Sequence, residues 1–490
     1  MTVEMVSIGE KLKLLASERP GSPAVTVGAA SLTYAQLHLA SNQVARKLQA
    51  KGVATGDLVT VALPNSVEFV TACWALWKLG ATPAPVSYRL PKGELEPILD
   101  LSNSPVVIAD FDYKISRPLL TALDVQPSGE DDADLPDVTA PILKAPTSGG
   151  STGRPKLILA GTPGETPLHW EDGFTWRMRP DSVALIPAPL YHNAGFGMML
   201  AAINTGAHLV LTPRFEALAT LEEIQRHKIT WVYLVPTMMN RIWELGDELR
   251  TAFDVKSLET LWHLAAPCPA WLKEAFIGWL GPEVILELYA GTESQASTSI
   301  SGTEWLLHKG SVGKVTRGEM KAFDEEGRPL PPREIGEVYM RASAGTPATY
   351  KYVGATAKTL HGGWESLGDL GWFDEDGYLY LADRRSDMVL VGGSNVYPAE
   401  VEAAIEECAG VLSCAVIGLP DGDLGNRLHA IVHAPGVSED LIRAHLKQRL
   451  VTYKQPRTFE FTSDPVRDDA GKVRRGELRA QRISSPTGVS

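Results

Sequence analysis

The chain has 490 residues, 44% of them hydrophobic and 21% charged, with a formal net charge of −13. That length accommodates two or more domains around a large core, and the acidic balance argues against nucleic acid or an anionic membrane as the main partner. Small polyanions are not excluded, because they respond to the local site more than to the whole surface.

Residues 1–20 interleave Glu4, Glu10, Lys11 and Lys13 with apolar residues and lack the unbroken apolar stretch of a secretory leader. No uncharged apolar run approaches the ~18 residues that span a bilayer. Cys73, Cys268, Cys408 and Cys414 are scattered, which indicates neither zinc nor a disulfide framework and fits a reducing, cytoplasmic location. Leu37, Ala40, Val44 and Leu48 share one helical face, and Gly52 closes that helix. Residues 58–63 read as a buried strand, Ser66 as the N-cap of a helix running to Gly80, and 105–110 as another short strand. Residues 126–137 are acidic with Pro and Gly, the composition of a surface loop. Strand patterns at 183–187, 208–212 and 231–235 then alternate with helices from Gly195, over 218–227 and from Thr237. Such alternation implies parallel sheets covered by helices.

From 310 to 381 the pattern changes to short strands separated by Asp324-Glu325-Glu326-Gly327 and Asp374-Glu375-Asp376-Gly377, a β-rich subdomain. These clusters lack the alternating oxygen ligands and distal Glu of a calcium loop and read as hairpin turns. After Arg385 a smaller α+β module follows, with helices at 399–408 and 439–450 and strands at 411–417 and 428–432. The expected fold class is therefore α/β: a large N-terminal domain of helix-covered sheets with a β-rich subdomain, then a small C-terminal domain.

The most informative stretch is Thr147-Ser148-Gly149-Gly150-Ser151-Thr152-Gly153-Arg154-Pro155-Lys156. Its glycines let the backbone turn tightly and present N–H groups, and its hydroxyls and Lys156 complete a concave anion site. It is not a Walker A loop, because Arg154-Pro155 stand where Lys-Ser or Lys-Thr would follow the glycine. Further on come Tyr289-Ala290-Gly291-Thr292-Glu293, Trp364-Glu365-Ser366-Leu367-Gly368-Asp369-Leu370, Asp383-Arg384-Arg385-Ser386-Asp387, residues 391–400, Tyr453-Lys454-Gln455-Pro456-Arg457 and Gly471-Lys472-Val473-Arg474-Arg475.

In this order and spacing the motifs resemble the adenylate-forming superfamily of acyl-CoA synthetases, adenylation domains and luciferases, and the resemblance runs from about Leu32 to Leu478. It implies that ATP converts a carboxylic acid to an acyl-adenylate with release of pyrophosphate, and that a thiol then captures the acyl group. Mg²⁺ and coenzyme A are the further implied cofactors. On this resemblance Thr147, Ser148, Gly149, Gly150, Ser151, Thr152, Gly153 and Lys156 cradle the phosphates, with Gly149 where a hydroxyl residue is more usual. Tyr289 stacks on adenine, with Ala265, Ala266, Pro267, Ala290 and Gly291 beside the nucleotide. Thr292 touches the α-phosphate and Glu293 holds Mg²⁺, Asp369 takes the ribose hydroxyls, and Arg384 contacts ribose or phosphate. Lys472 bridges the attacking carboxylate and the α-phosphate.

The resemblance also implies a mobile C-terminal domain, residues 386–490 against 1–385, that rotates between two poses about a hinge at Ser386. There Gly392 and Gly393 line the tunnel for the thiol. Asp383 and Ser386 depart from the family's usual residues.

Pro189-Leu190-Tyr191-His192-Asn193-Ala194-Gly195 matches the family's acyl-pocket segment. His192 replaces the Asp with which amino-acid-activating domains hold an ammonium, and is expected to gate the pocket. Asn193, Gly195, Gly197, Met198, Tyr233, Thr237, Met238, His263, Leu264, Ala265 and Gly291 form the expected wall. Small residues and Met suit a roomy apolar cavity and a bulky aromatic, alicyclic, terpenoid or steroid-type acid; the look is that of acyl-CoA ligases for such acids. A carrier protein or partner enzyme is the alternative acceptor, a half-active acyl-adenylate binder is a further alternative, and a homodimer is compatible with all of these.

Overall fold

The computed structural model describes residues 3–127, 129, 131–149, 155–173, 176–384, 387–391, 394–421, 425–468 and 471–484, with the backbone alone for Ser148, Gly149, Asp383, Arg384 and Ser484. Its centre is a parallel run of strands ordered Ile285–Ala290, Thr260–His263, Trp231–Leu234, Val183–Ile186, His208–Leu211 and Pro23–Val27. Each reads as a short Val/Leu/Ile/Trp-rich run because helices cover both faces of such a sheet. The helices Asn193–Thr205, Ala217–His227, Pro236–Trp243 and Ala270–Leu280 supply that cover. The β-rich segment is not detached. Ser297–Ser301 and Gly313–Arg317 extend the same sheet antiparallel, and Tyr378–Arg384, Trp364–Phe373, Gly336–Arg341 and Glu319–Phe323 continue it.

A second parallel sheet joins Thr82–Pro85, Leu58–Ala62, Val107–Ala109 and Leu119–Leu120. Ser66 caps the helix Val67–Lys78 by accepting from Phe69 N, as its position predicts. A third, antiparallel sheet places Thr147–Gly149 beside Pro155–Ala160, and that strand beside Tyr350–Val353. The C-terminal domain has its own core, from Val389 to Leu446, around the sheet Ser413–Asp421, Gly425–His433 and Thr458–Phe461. Among the described residues no helix is long and apolar enough to cross a membrane. The four cysteines are unpaired.

The acidic loop 126–137 is tied down by a buried polar cluster. Lys78 Nζ donates to Asn42 Oδ1 at 2.6 Å and to the His38 carbonyl at 2.8 Å. His38 Nε2 lies 2.8 Å from Asp134 Oδ1, and Lys13 pairs with the other oxygen, Oδ2, at 3.0 Å. Burial drives Lys78 down to about 7, against the pull of Asp134. The unfolded chain therefore keeps a proton on Lys78 that the folded chain sheds between about pH 7 and its ordinary value near 10.5. Stability from this group rises with pH across that window, by at most about 1.4 kcal/mol per pH unit, and the penalty is fully present below it. Urea titrations of the wild type and Lys78→Met from pH 6.5 to 9.5 are expected to differ in slope, with the rise missing in the variant. Parallel curves would refute the assignment.

Candidate active site

The residues singled out in the sequence converge where ligands of such sheets bind, outside the carboxyl ends of parallel strands. His192 follows Val183–Ile186, Met238 follows Trp231–Leu234, Ala265–Pro267 follow Thr260–His263, and Gly291–Glu293 follow Ile285–Ala290. Ala265 has φ +79°, a left-handed conformation that a side chain makes costly. Gly195 is required by space, since a Cβ there would lie 2.9 Å from the Pro189 carbonyl, and a Cβ on Gly291 would push on the Leu367 and Glu293 side chains.

Glu293 is held by contacts from Tyr352, Lys156 and Thr349. It is 5% exposed, and its Oε1 accepts from Tyr352 Oη at 2.5 Å and lies 3.4 Å from Lys156 Nζ. The same ammonium sits 3.9 Å over the Tyr352 ring. The Glu293 carbonyl accepts from Thr349 Oγ1 at 2.7 Å. Burial and the Glu293 charge hold the Tyr352 phenol well above its ordinary range, so it remains a donor. Lys156 thus reaches Glu293 across the hairpin that closes the Gly-rich loop. A buried carboxylate of this kind is a hard oxygen donor of the sort Mg²⁺ takes, since that ion uses few protein ligands and several waters. No cluster of three His, Cys, Asp or Glu suited to another metal occurs among the described residues.

Tyr289 donates to Asp369 Oδ2 at 2.6 Å, which places the two nucleotide candidates side by side. Asp369 and Arg384 are register partners in adjacent strands. The Arg384 side chain lies outside the described residues, as do Gly150, Ser151, Thr152, Gly153, Ser386, Gly392 and Gly393. Thr147 pairs with Leu157, and Ser148 and Gly149 continue that ladder to Pro155.

The C-terminal domain brings Lys472 to this mouth. Gly471 N donates to the Asp468 carbonyl at 2.8 Å and Lys472 N to Asp468 Oδ1 at 2.8 Å, with φ of +75° at Gly471. A Cβ on Gly471 would stand 3.3 Å from Ala266 Cβ and 3.4 Å from Thr237. The turn is therefore seated between the segment after Thr260–His263 and the first turn of the helix Pro236–Trp243. Asn240 Nδ2 donates to the Leu412 carbonyl at 3.2 Å, and Arg474 faces Glu94 at 3.7 Å.

Of the expected acyl wall, Tyr233, Met238 and His263 are buried. His263 lies against Glu287, which pairs with Lys273, and burial with the Lys273 charge keeps the imidazole neutral. His192 caps the helix Asn193–Thr205 without a side-chain cap bond, and its ring packs on Tyr191 at 4.5 Å. Beside that helix lies a cavity of about 150 Å³, lined by Trp170, Trp176, Gly197, Leu200, Ala201 and Asn204 among others. Sequence reasoning missed Tyr352, Lys144 and Arg317. The Tyr350-Lys351-Tyr352 alternation put both rings on one face of a strand, but nothing local identified what they face.

The family profile described as AMP-binding enzyme matches residues 13–350, and that described as AMP-binding enzyme C-terminal domain matches residues 400–472. A feruloyl-CoA synthase from an Amycolatopsis species is 32% identical over 483 residues, 94% of this chain and 96% of that one. A fatty acid–[acyl-carrier-protein] ligase from Streptomyces coeruleorubidus is 31% identical, covering 95% and 94%. The o-succinylbenzoate CoA synthetase of Bacillus subtilis, solved with its acyl-adenylate intermediate, matches with a TM-score of 0.81 at 26% identity, over 97% of this chain and 99% of that one. The same enzyme has been solved with ATP and magnesium ion, TM-score 0.79 at 25% identity over 97% and 100%.

Proposed function

The chain belongs to the AMP-binding enzyme family, and from that premise we propose that it joins a carboxylic acid to AMP and then hands the acyl group to the thiol of coenzyme A. It is an AMP-forming ligase. The acid is an aromatic one, as the feruloyl and o-succinylbenzoate groups in the relatives' names suggest. The observation that carries the reading is the Gly471-Lys472 turn, seated on Ala266 and Thr237 beside the strand ends that bear Thr292.

Two anions must meet, so the site supplies positive charge and donors where charge develops. Lys156 and the Gly-rich loop take the β- and γ-phosphates, Thr292 donates to the α-phosphate, and Asp369, steadied by Tyr289, accepts from the ribose hydroxyls. Glu293 would hold Mg²⁺, which when bound neutralises phosphate charge. The acid's carboxylate oxygen attacks the α-phosphorus and pyrophosphate leaves, while Lys472 stabilises both carboxylate and phosphoryl oxygens. In the second half the thiolate attacks the acyl carbon and AMP departs. His192 stands at the entrance to the acyl site. The C-terminal domain, residues 386–490, turns about Ser386 between the halves.

A second reading, transfer to a carrier protein, is favoured by the acyl-carrier-protein ligase among the relatives. ATP–pyrophosphate exchange against a panel of carboxylic acids, followed by addition of coenzyme A, tests both. Exchange with aromatic acids and a thioester on adding coenzyme A are expected. Exchange without thioester would move the acceptor to a carrier protein, and no exchange with any acid would overturn the adenylation reading.

A further inference from the structure

Lys144 lies three residues before the Gly-rich loop. Its Nζ donates to Asn193 Oδ1 at 2.6 Å, on the first residue of the helix Asn193–Thr205. One turn further along, a Cβ on Gly197 would stand 3.9 Å from the same atom. The ammonium therefore rests against the helix face that begins beside His192, at the acyl site.

Its charge has no counterpart. Among the described residues no carboxylate pairs with it, and Asn193 is its one acceptor. The charge that bears on it is another cation, Arg317, and burial with that repulsion lowers Lys144 to about 8. Arg317 lies exposed at the end of its strand and donates to the Ser294 carbonyl at 2.6 Å, directly after Glu293. Other cations of the fold are better served. Lys273 pairs with Glu287, Arg467 with Glu402, and Lys78 has three acceptors and the nearby charge of Asp134. Lys144 is half-buried, and a cation with donors to spare and no carboxylate partner, held against the acyl-site helix, is suited to receive an anionic group.

We propose that Lys144, backed by Arg317, binds a second carboxylate on the acid substrate, so that the acid is a dicarboxylate of which one carboxyl is adenylated. The inference rests on the adenylation reading and narrows its substrate class. The sole acceptor, Asn193, belongs to the acyl-site helix, and the phosphates already have Lys156 and Lys472. The partner is therefore assigned to the acid and not to ATP.

The test uses the full chain and two acids that differ by one carboxylate, 2-succinylbenzoate and 4-oxo-4-phenylbutanoate. Pyrophosphate exchange is measured for wild type, Lys144→Met and Lys144→Arg, and each acid is also titrated calorimetrically without ATP. The wild type is expected to favour the diacid in kcat/KM by about 10- to 100-fold, as for loss of one charge-assisted hydrogen bond. Lys144→Met should erase that preference through KM for the diacid, with KM for ATP unchanged, and Lys144→Arg should restore part of it. A wild type indifferent to the second carboxylate in both measurements would overturn the proposal. A raised KM for ATP in Lys144→Met would overturn it too, by placing the lysine at the nucleotide. A Lys144-dependent diacid preference in calorimetry without exchange would support the carboxylate contact while sinking the adenylation reading alone.

Discussion

Lys472→Ala is expected to slow acyl-adenylate formation by about 100- to 1,000-fold, the usual cost of removing one donor from a developing oxyanion. Thioester formation from supplied acyl-adenylate should stay within about threefold of wild type, because the lysine serves one half-reaction. The substitution removes only the ammonium. The turn that carries it is built from backbone groups, Gly471 N to the Asp468 carbonyl and Lys472 N to Asp468 Oδ1, and these survive in alanine. Stopped-flow or quench measurements of each half-reaction separate the two effects. Equal losses in both would show that the seat on Ala266 and Thr237 is not specific to adenylation.

The second large effect is expected at Glu293. Glu293→Gln keeps the shape of the side chain and an acceptor for Tyr352, but it removes the negative charge that faces Lys156. Pyrophosphate exchange should fall by about 100-fold, and the Mg²⁺ concentration for half-maximal rate should rise by about 10- to 100-fold, the scale seen when groups supporting a metal are lost. Thermal melting should move little, since the Glu293 carbonyl still accepts from Thr349. A Mg²⁺ dependence unchanged from wild type would remove Glu293 from the metal site.

The parallel sheet was legible because its strands are short apolar runs between amphipathic segments, whereas His192, Ala265 and Thr292 were singled out by the family resemblance, and the fold sets them beyond the carboxyl ends of those strands. The small domain was legible for the same reason, its helix Glu439–Lys447 capped by Ser438 and buried along Ile442 and Leu446. What sequence could not supply were contacts made across the fold. Tyr352 meets Glu293 from 59 positions away, on a strand whose partner is the one leaving the Gly-rich loop. Lys144 meets Asn193 from 49 positions away and sits in a Pro-Ile-Leu-Lys-Ala-Pro run that looks like ordinary strand. A charged residue in such a run is ambiguous until the absence of a counter-charge can be seen in three dimensions. The apolar acyl site expected from small residues and Met omitted this cation for that reason.

The contacts that dock the small domain include an amide on a carbonyl, Asn240 to Leu412, a long ion pair, Arg474 to Glu94, and a glycine turn on small side chains. The buried apolar residues between Val389 and Leu446 form a core of the small domain's own. Such a joint can come apart in water without baring a greasy face. The swing proposed between half-reactions then leaves the small domain's interior untouched, so that it travels as one rigid piece and nothing has to refold at each cycle.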